Sequence, residues 1–442
     1  MNTFQSYLKK LSFTIIFLLT LTAVINALVD PFELFGSPKI EGFNRLKPEY
    51  HKHVRMIKAH QVRLRKPEVL IIGSSRAELG LDPDHPALMK ADSVSYNLAL
   101  SSANIYEILR YIQHAHAVNP LKQVVIGLDF FMFNINKLNE PDFDETRIAP
   151  NNRGWHKDIV NSFLSIDGLS ASVSTLTKQN ATPVSHYMPN GFKDDSHHWN
   201  AIQKKGGHRK ATINNESYTL KALDGFVFFT THNNNRKSPT YEHFKQILVF
   251  CKTNHIDLRL FISPEHARKL ILMHTIGLWG VYEDWKLTMT QLIESNTPSY
   301  SLWDFSGFNQ ITTETFPVLG DKKTEMRWYW ESSHYKKETG DIILSKLLNK
   351  DETVKNKYPN FGILLSPQTI ESKFELDREQ LEAYIERNPK IIEEIKKMMA
   401  DTSSIRKRLI SQNKQFEPIV YFRLKSSKDK KVQMNVRMHL IS

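Results

Sequence analysis

The stretch VLIIGSSRAELGLDP, residues 69–83, decides the fold. Four apolar residues are followed at once by Gly73, Ser74, Ser75 and Arg76. An unbroken apolar run of this length reads as a strand buried on both faces, and the polar residues after it mark a turn into a helix. Three readings of that turn are open: a nucleophile, an anion cradle, or ordinary strand-to-helix punctuation with Arg76 on the surface, pairing with Glu78.

The same alternation continues outward. Residues 94–98 read as a second strand. Residues 104–117 read as a helix with Ile105, Ile108, Leu109 and Ile112 on one face, ended by Asn119-Pro120. QVVIGLDFF, residues 123–131, is a third strand. The pattern resumes with a helix at 241–254, a strand at 257–263, helices at 264–273 and 282–294, a strand at 300–305 and a helix at 335–348. Strands alternating with helices predict an α/β fold with a parallel sheet, and right-handed crossovers gather the strand C-terminal ends on one edge, where ligands bind. Gly73, Asn97 and Asp129 end their strands at that edge.

Residues 134–239 interrupt this pattern with weak periodicity and many Asn, His, Ser and Lys residues. They form an insertion, either a lid or binding subdomain or a surface excursion. Beyond residue 349 the composition changes again. Asp377 and Gln380 fit a capping box, Asn388-Pro389 opens a further helix, and Val432, Met434, Val436, Met438 and Leu440 alternate as in a hairpin strand.

The N-terminus carries LSFTIIFLLTLTAVINALV, residues 11–29, without a charge. Its length matches the roughly 20 residues that cross a bilayer as a helix. Lys9 and Lys10 precede it, which predicts a cytoplasmic N-terminus and an extracytoplasmic main body. A cleaved signal peptide is the competing reading; the long apolar run and the lack of Ala-x-Ala before Asp30 favour an uncleaved anchor. The expected division is 1–30 as tip and anchor, 31–66 as stalk or first helix, 67–349 as the α/β domain, and 350–442 as a basic helical and hairpin module.

The chain has 442 residues and a net charge of +12, of which residues 401–442 supply an excess of seven. A basic tail can meet anionic lipid or acidic polymer, or simply be solvated. No motif for nucleic acid accompanies it. Cys251 is the only cysteine and lies on a helical face with Tyr241, Phe244 and Leu248, so it reads as a buried thiol with no disulfide role.

A serine nucleophile needs a base, and the base needs an orienting acid. MRWYWESSHYKKETGDIIL, residues 326–344, offers both in Glu331 and His334, three apart on one turn. No second Glu-x-x-His supports a di-iron site. His266 is a reserve base or a plain N-terminal turn. His197-His198 lacks the further ligands of a metal site and reads as an exposed pair. Trp279, Trp285, Trp328 and Trp330 are candidates for stacking on sugar rings or for packing. No metal and no cofactor is expected.

These residues resemble the SGNH (GDSL-like) hydrolase superfamily, in particular its membrane-anchored extracytoplasmic branch that includes alginate O-acetylation and D-alanyl-lipoteichoic acid proteins. Gly73-Ser74-Ser75 stands for Gly-Asp-Ser, with Ser75 as nucleophile. Residues 97–102, NLALSS, resemble Asn-x-Gly-x-Ser-Gly, with Ser102 at the oxyanion glycine. Gly127-Leu128-Asp129-Phe130 resembles Gly-x-Asn-Asp, with Asp129 where the oxyanion asparagine stands; Asn134 or Asn136 is a conceivable substitute. Glu331-Ser332-Ser333-His334 resembles Asp-x-x-His. The resemblance implies a three-layer α/β/α sandwich and an esterase or O-acyltransferase. Ser75, His334 and Glu331 would be catalytic, with Ser102, Asn97 and Asp129 at the oxyanion and substrate edge. The implied substrate is an acylated glycan or lipid-linked envelope component, at the inner membrane facing the periplasm. The alternative is a non-catalytic scaffold in envelope polysaccharide assembly.

Overall fold

A computed structural model describes residues 2–412 apart from 89–92, 150–152, 181–185, 195, 229–237 and 349–350. The expected C-terminal hairpin lies outside the described residues.

Eight strands are described: β1 Val69–Ile72, β2 Ser95–Asn97, β3 Gln123–Leu128, β4 His186–Tyr187, β5 Lys193–Asp194, β6 Asp257–Ile262, β7 Leu302–Asp304 and β8 Ile363–Leu365. Six form one sheet in the order β2-β1-β3-β6-β7-β8, and β4 and β5 form a separate antiparallel pair. The pairs from β2 through β7 are parallel. β8 closes the far edge antiparallel to β7 and is an addition to the expected all-parallel sheet.

The central strands β1, β3 and β6 send alternate residues to opposite faces. Leu70, Ile72, Val124, Ile126, Leu258 and Leu260 join one core, while Val69, Ile71, Val125 and Phe261 join the other. The first core also receives Val54, Ile57 and Val62 of the helix Val54–Arg65, which lies within the 31–66 stretch. Strand order reverses between β1 and β3, because β2 adds on one side of β1 and β6 on the far side of β3. At such a point the helices leave in opposite directions and a crevice opens beyond the strand ends.

The helix Asn2–Val29 is long and apolar enough to span a membrane, the single such helix among the described residues. Most of its surface is exposed. Its last turns dock on two helices of the insertion, Arg153–Leu164 and Ile166–Thr177.

The insertion is largely helical, contrary to its weak periodicity. Its helix His208–Lys221 buries His208, Thr212, Glu216 and Thr219, so its inward face is mostly polar. Glu216 receives the guanidinium of Arg268 at 2.9–3.0 Å, and Arg268 also donates to Glu394 at 2.6 Å. One fully buried arginine thereby joins the insertion, the helix Ala267–Thr275 and the helix Pro389–Gln412. The capping-box reading of Asp377 is corrected: Asp377 lies inside the helix Ile370–Arg387, buried against Lys373, and the helix starts seven residues earlier.

Candidate active site

Ser75 begins the helix Ser75–Gly80 directly after β1. Ser74 is its N-cap, and its hydroxyl accepts the Arg76 N–H at 3.2 Å. Capping by Ser74 leaves the Ser75 hydroxyl free to turn outward. It donates to His334 Nε2 at 2.7 Å. His334 Nδ1–H in turn donates to the Glu331 carboxylate in a short contact.

Glu331 is held by its own turn. Its carboxylate accepts the N–H groups of Ser333 at 2.9 Å and His334 at 3.0 Å. Burial pushes the Glu331 pKa upward, but His334 and these donors outweigh it and hold the carboxyl below its ordinary value. The acid is thus ionised and fixes the imidazole with Nε2 toward the serine. In this order a histidine held by an acid can accept the proton of a serine hydroxyl and so activate it as a nucleophile.

The two halves of this chain come from distant sequence yet are pressed together by backbone. The helix Lys337–Leu347 follows His334, and Gly340 on it touches the carbonyl of Gly80. A methyl group on either glycine has no room: one would meet that carbonyl, the other the Tyr335 ring.

Asp129 ends β3 beside the serine turn. It accepts the Ser74 hydroxyl in a short contact and pairs with Arg76 at 2.9 Å. The surface reading of Arg76, and its pairing with Glu78, are corrected. Arg76 is buried and also binds Glu265 at 2.5 Å, the Ser333 carbonyl at 2.8 Å and the Ser333 hydroxyl at 2.9 Å. Burial lowers its pKa, yet Asp129 and Glu265 more than compensate and raise it. Arg76 therefore neutralises the Asp129 carboxylate and clamps the histidine loop to the serine helix. With its donors committed to carboxylates, it does not serve an anion cradle.

Glu78 has different partners. It pairs with Lys58 at 3.3 Å and accepts the Ser101 hydroxyl at 2.6 Å and the Tyr187 hydroxyl at 3.1 Å. Arg55 donates to the Ser101 carbonyl at 2.9 Å, and Lys58 to the Ala99 carbonyl at 2.6 Å. These bonds fix the loop that ends in Ser102. Ser102 is exposed and adopts φ +59°, the left-handed region that favours glycine.

Asn97 is the expected edge residue that the structure moves elsewhere. It is fully buried; its amide donates to the Ala77 and Leu81 carbonyls at 2.9 and 2.8 Å. Asn97 thus ties β2 to the serine helix and does not line the cavity. The suggested substitute Asn134 spends its amide on the Gly225 carbonyl at 3.0 Å, and so closes the insertion.

Ser75, His334, Ser102 and Asp129 share one cavity of about 320 Å³. Its far wall is the insertion, through Asn215, Tyr218, Thr219 and Phe226. The insertion also holds the histidine loop, because His208 bridges the Trp330 carbonyl at 2.8 Å and the Met326 N–H at 3.1 Å. Lys269 is a cavity residue that the sequence did not single out. It is buried, donates to Thr219 Oγ1 at 2.6 Å, and burial lowers its pKa.

His266 is no base. It is an N-cap with Nδ1 accepting the Arg268 N–H at 3.1 Å and Nε2–H donating to the Glu314 carbonyl at 2.6 Å. His198 is not exposed as expected but packs on Trp330 with ring centroids 4.9 Å apart; the His197 side chain lies outside the described residues. Trp279, Trp285, Trp328 and Trp330 do not line the cavity. No group of metal-ligating side chains occurs among the described residues.

Comparison with protein-family models finds no match to this chain, and no curated protein matches its sequence.

Proposed function

We propose that this protein is a membrane-anchored serine acyl-ester enzyme of the SGNH type, an esterase or O-acyltransferase acting on an acylated glycan or lipid-linked substrate of the cell envelope. The observation that carries the proposal is the hydrogen-bonded chain from Ser75 through His334 to Glu331. Ser75 attacks the acyl carbonyl while His334 takes its proton. The N–H groups of Ser75 and Ser102 stabilise the oxyanion, and His334 then protonates the leaving alkoxide. Water as the second acceptor completes hydrolysis; a sugar hydroxyl completes transfer.

One further observation supports the SGNH reading, and one departs from the family pattern. Ser102 stands where the family has a glycine, and its positive φ is what that glycine would adopt. The chain departs from the family pattern of Asp on the first strand turn and Asn on the third, having Ser74 and Asp129 there, hydrogen-bonded to one another. The carboxylate of this pair stands on the third strand turn, where Arg76 neutralises it. On this reading the two cores on either face of the sheet are those of a three-layer α/β/α sandwich. The first helix is then an inner-membrane anchor with the catalytic domain in the periplasm. Asp129 in the place of an oxyanion amide favours a second reading, a non-catalytic envelope scaffold.

The discriminating experiment uses full-length protein in detergent. A fluorophosphonate probe should label Ser75, identified by peptide mass, and acetate should be released from an aryl acetate. Absence of both, with unaltered cellular function of Ser75→Ala and His334→Ala, selects the scaffold.

A further inference from the structure

The insertion's helix Ile166–Thr177 is amphipathic in the wrong sense for a water-soluble surface. Its buried face consists of Gly168, Ala171, Ser172 and Thr175. Its apolar stripe, Ile166, Leu169, Val173 and Leu176, has the i, i+3, i+7, i+10 spacing of one helix face. That stripe points outward: Ile166 is 84% exposed, Val173 52% and Leu176 37%. The preceding helix Arg153–Leu164 adds Val160 and Leu164, one turn apart and 54% and 43% exposed. Between Asp158 and Lys178 the sequence carries a single ionisable side chain, Asp167. Asp167, Ser170, Ser174 and Thr177 form a separate polar sector that shares a cleft with Glu49 and Lys52.

This face is continuous with the first helix. Asn26, fully buried, accepts the Ser172 hydroxyl at 2.8 Å and donates to the Phe163 carbonyl at 3.0 Å. Beside that bond an apolar groove of about 390 Å³ runs between residues 16–27 of the first helix and Phe163 and Leu164. The exit of the first helix is also fixed, since Lys47 Nζ caps the Val29 and Asp30 carbonyls at 2.8 and 2.7 Å.

We propose that the helical pair 153–177 lies in the membrane interface, with its outward apolar stripe among the acyl chains of the leaflet next to the catalytic domain. The inference rests on the reading of the first helix as membrane-spanning. If residues 16–27 are in hydrocarbon, the side chains level with them on the neighbouring helix meet the same medium. An interfacial helix with one apolar sector and one polar sector suits that position. The domain would then stand on the bilayer at a set height and tilt, with no flexible stalk beneath it.

The test uses the full chain in vesicles of phosphatidylethanolamine and phosphatidylglycerol. Spin labels are placed singly on Ile166→Cys, Val173→Cys and Val160→Cys, with Lys252→Cys as the aqueous control and Leu19→Cys as the spanning control. Cys251 is fully buried and stays unlabelled. At 160, 166 and 173, collision with oxygen should rise several-fold above the value at 252, and collision with a water-soluble nickel chelate should fall several-fold. Nickel collision at 160, 166 and 173 equal to that at 252, with Leu19 in lipid, overturns the proposal alone. Aqueous behaviour at Leu19 as well overturns the spanning reading beneath it. Low collision with both reagents at 160, 166 and 173 shows protein covering the stripe, which also overturns the proposal.

Discussion

Arg76 and Glu78 stand two residues apart on one short helix, both buried, and they anchor two different charge networks. Arg76 faces the side of Ser75 and His334: its partners are Asp129, Glu265 and the Ser333 turn that precedes His334. Glu78 faces away, toward Lys58, Tyr187 and the loop before Ser102. The first network sets the distance between serine and histidine. The second sets the loop that ends in Ser102. One arginine thus holds two buried carboxylates, whereas Glu78 shares its charge with Lys193 at 3.8 Å and with Lys58, whose own pKa is lowered to about 8 by burial. The first network has no slack, and the second can shed a proton.

The largest effects should come from the groups both networks serve. Ser75→Ala and His334→Ala should each lower aryl-ester turnover by at least ~10³-fold, with unchanged thermal melting. An intact rate in either would detach both networks from catalysis. Next, Arg76→Met leaves Asp129 and Glu265 buried without their cation, which should cost about 3–5 kcal/mol in chemical denaturation. Adding Asp129→Asn should recover part of that loss, and a purely additive double variant would show that the pair is uncoupled.

Glu78→Gln should cost less, about 1–3 kcal/mol, because Lys58 can become neutral and the amide still accepts from Ser101. The comparison breaks if Glu78→Gln proves as damaging as Arg76→Met. The smallest effect concerns pH. His266 and His114 are each pushed from 6.5 to about 4 by burial, so between those values the unfolded chain binds more protons than the folded one. Their contribution to stability is full above pH 6.5 and is lost as pH falls toward 4. His266→Asn keeps an N-cap and removes one titration, so its denaturation midpoint should depend less steeply on pH across that window, by up to about 1 kcal/mol per unit. An unchanged slope would mean that His266 does not titrate there.

The sequence made one half of this design legible. β1 and β3 announce themselves because doubly buried strands are nearly continuous apolar runs, and Glu331 and His334 are found because their relation is local. Arg76 was not legible, since the carboxylates that bury it arrive from residues 129 and 265. The helix His208–Lys221 was missed for a related reason: its buried face holds His208, Thr212 and Glu216, so no apolar period marks it. The helix Ile166–Thr177 has a clear period that points away from the core. β8 is three residues with one side chain exposed, too short to declare itself. Asn97 illustrates the opposite error, a residue placed correctly at a strand end whose side chain faces inward.

The contact of Gly340 with the Gly80 carbonyl has a consequence for how this protein can vary. The serine helix and the helix after the histidine are registered against each other by main chain where Gly340 meets the Gly80 carbonyl, whichever side chains line the cavity. Side chains of the insertion at the cavity's far wall, such as Tyr218 and Phe226, can therefore change while this register stays, provided His208 keeps its hold on the histidine loop. The lining of the cavity and the spacing of Ser75 and His334 are separable traits here, and two absent methyl groups keep them so.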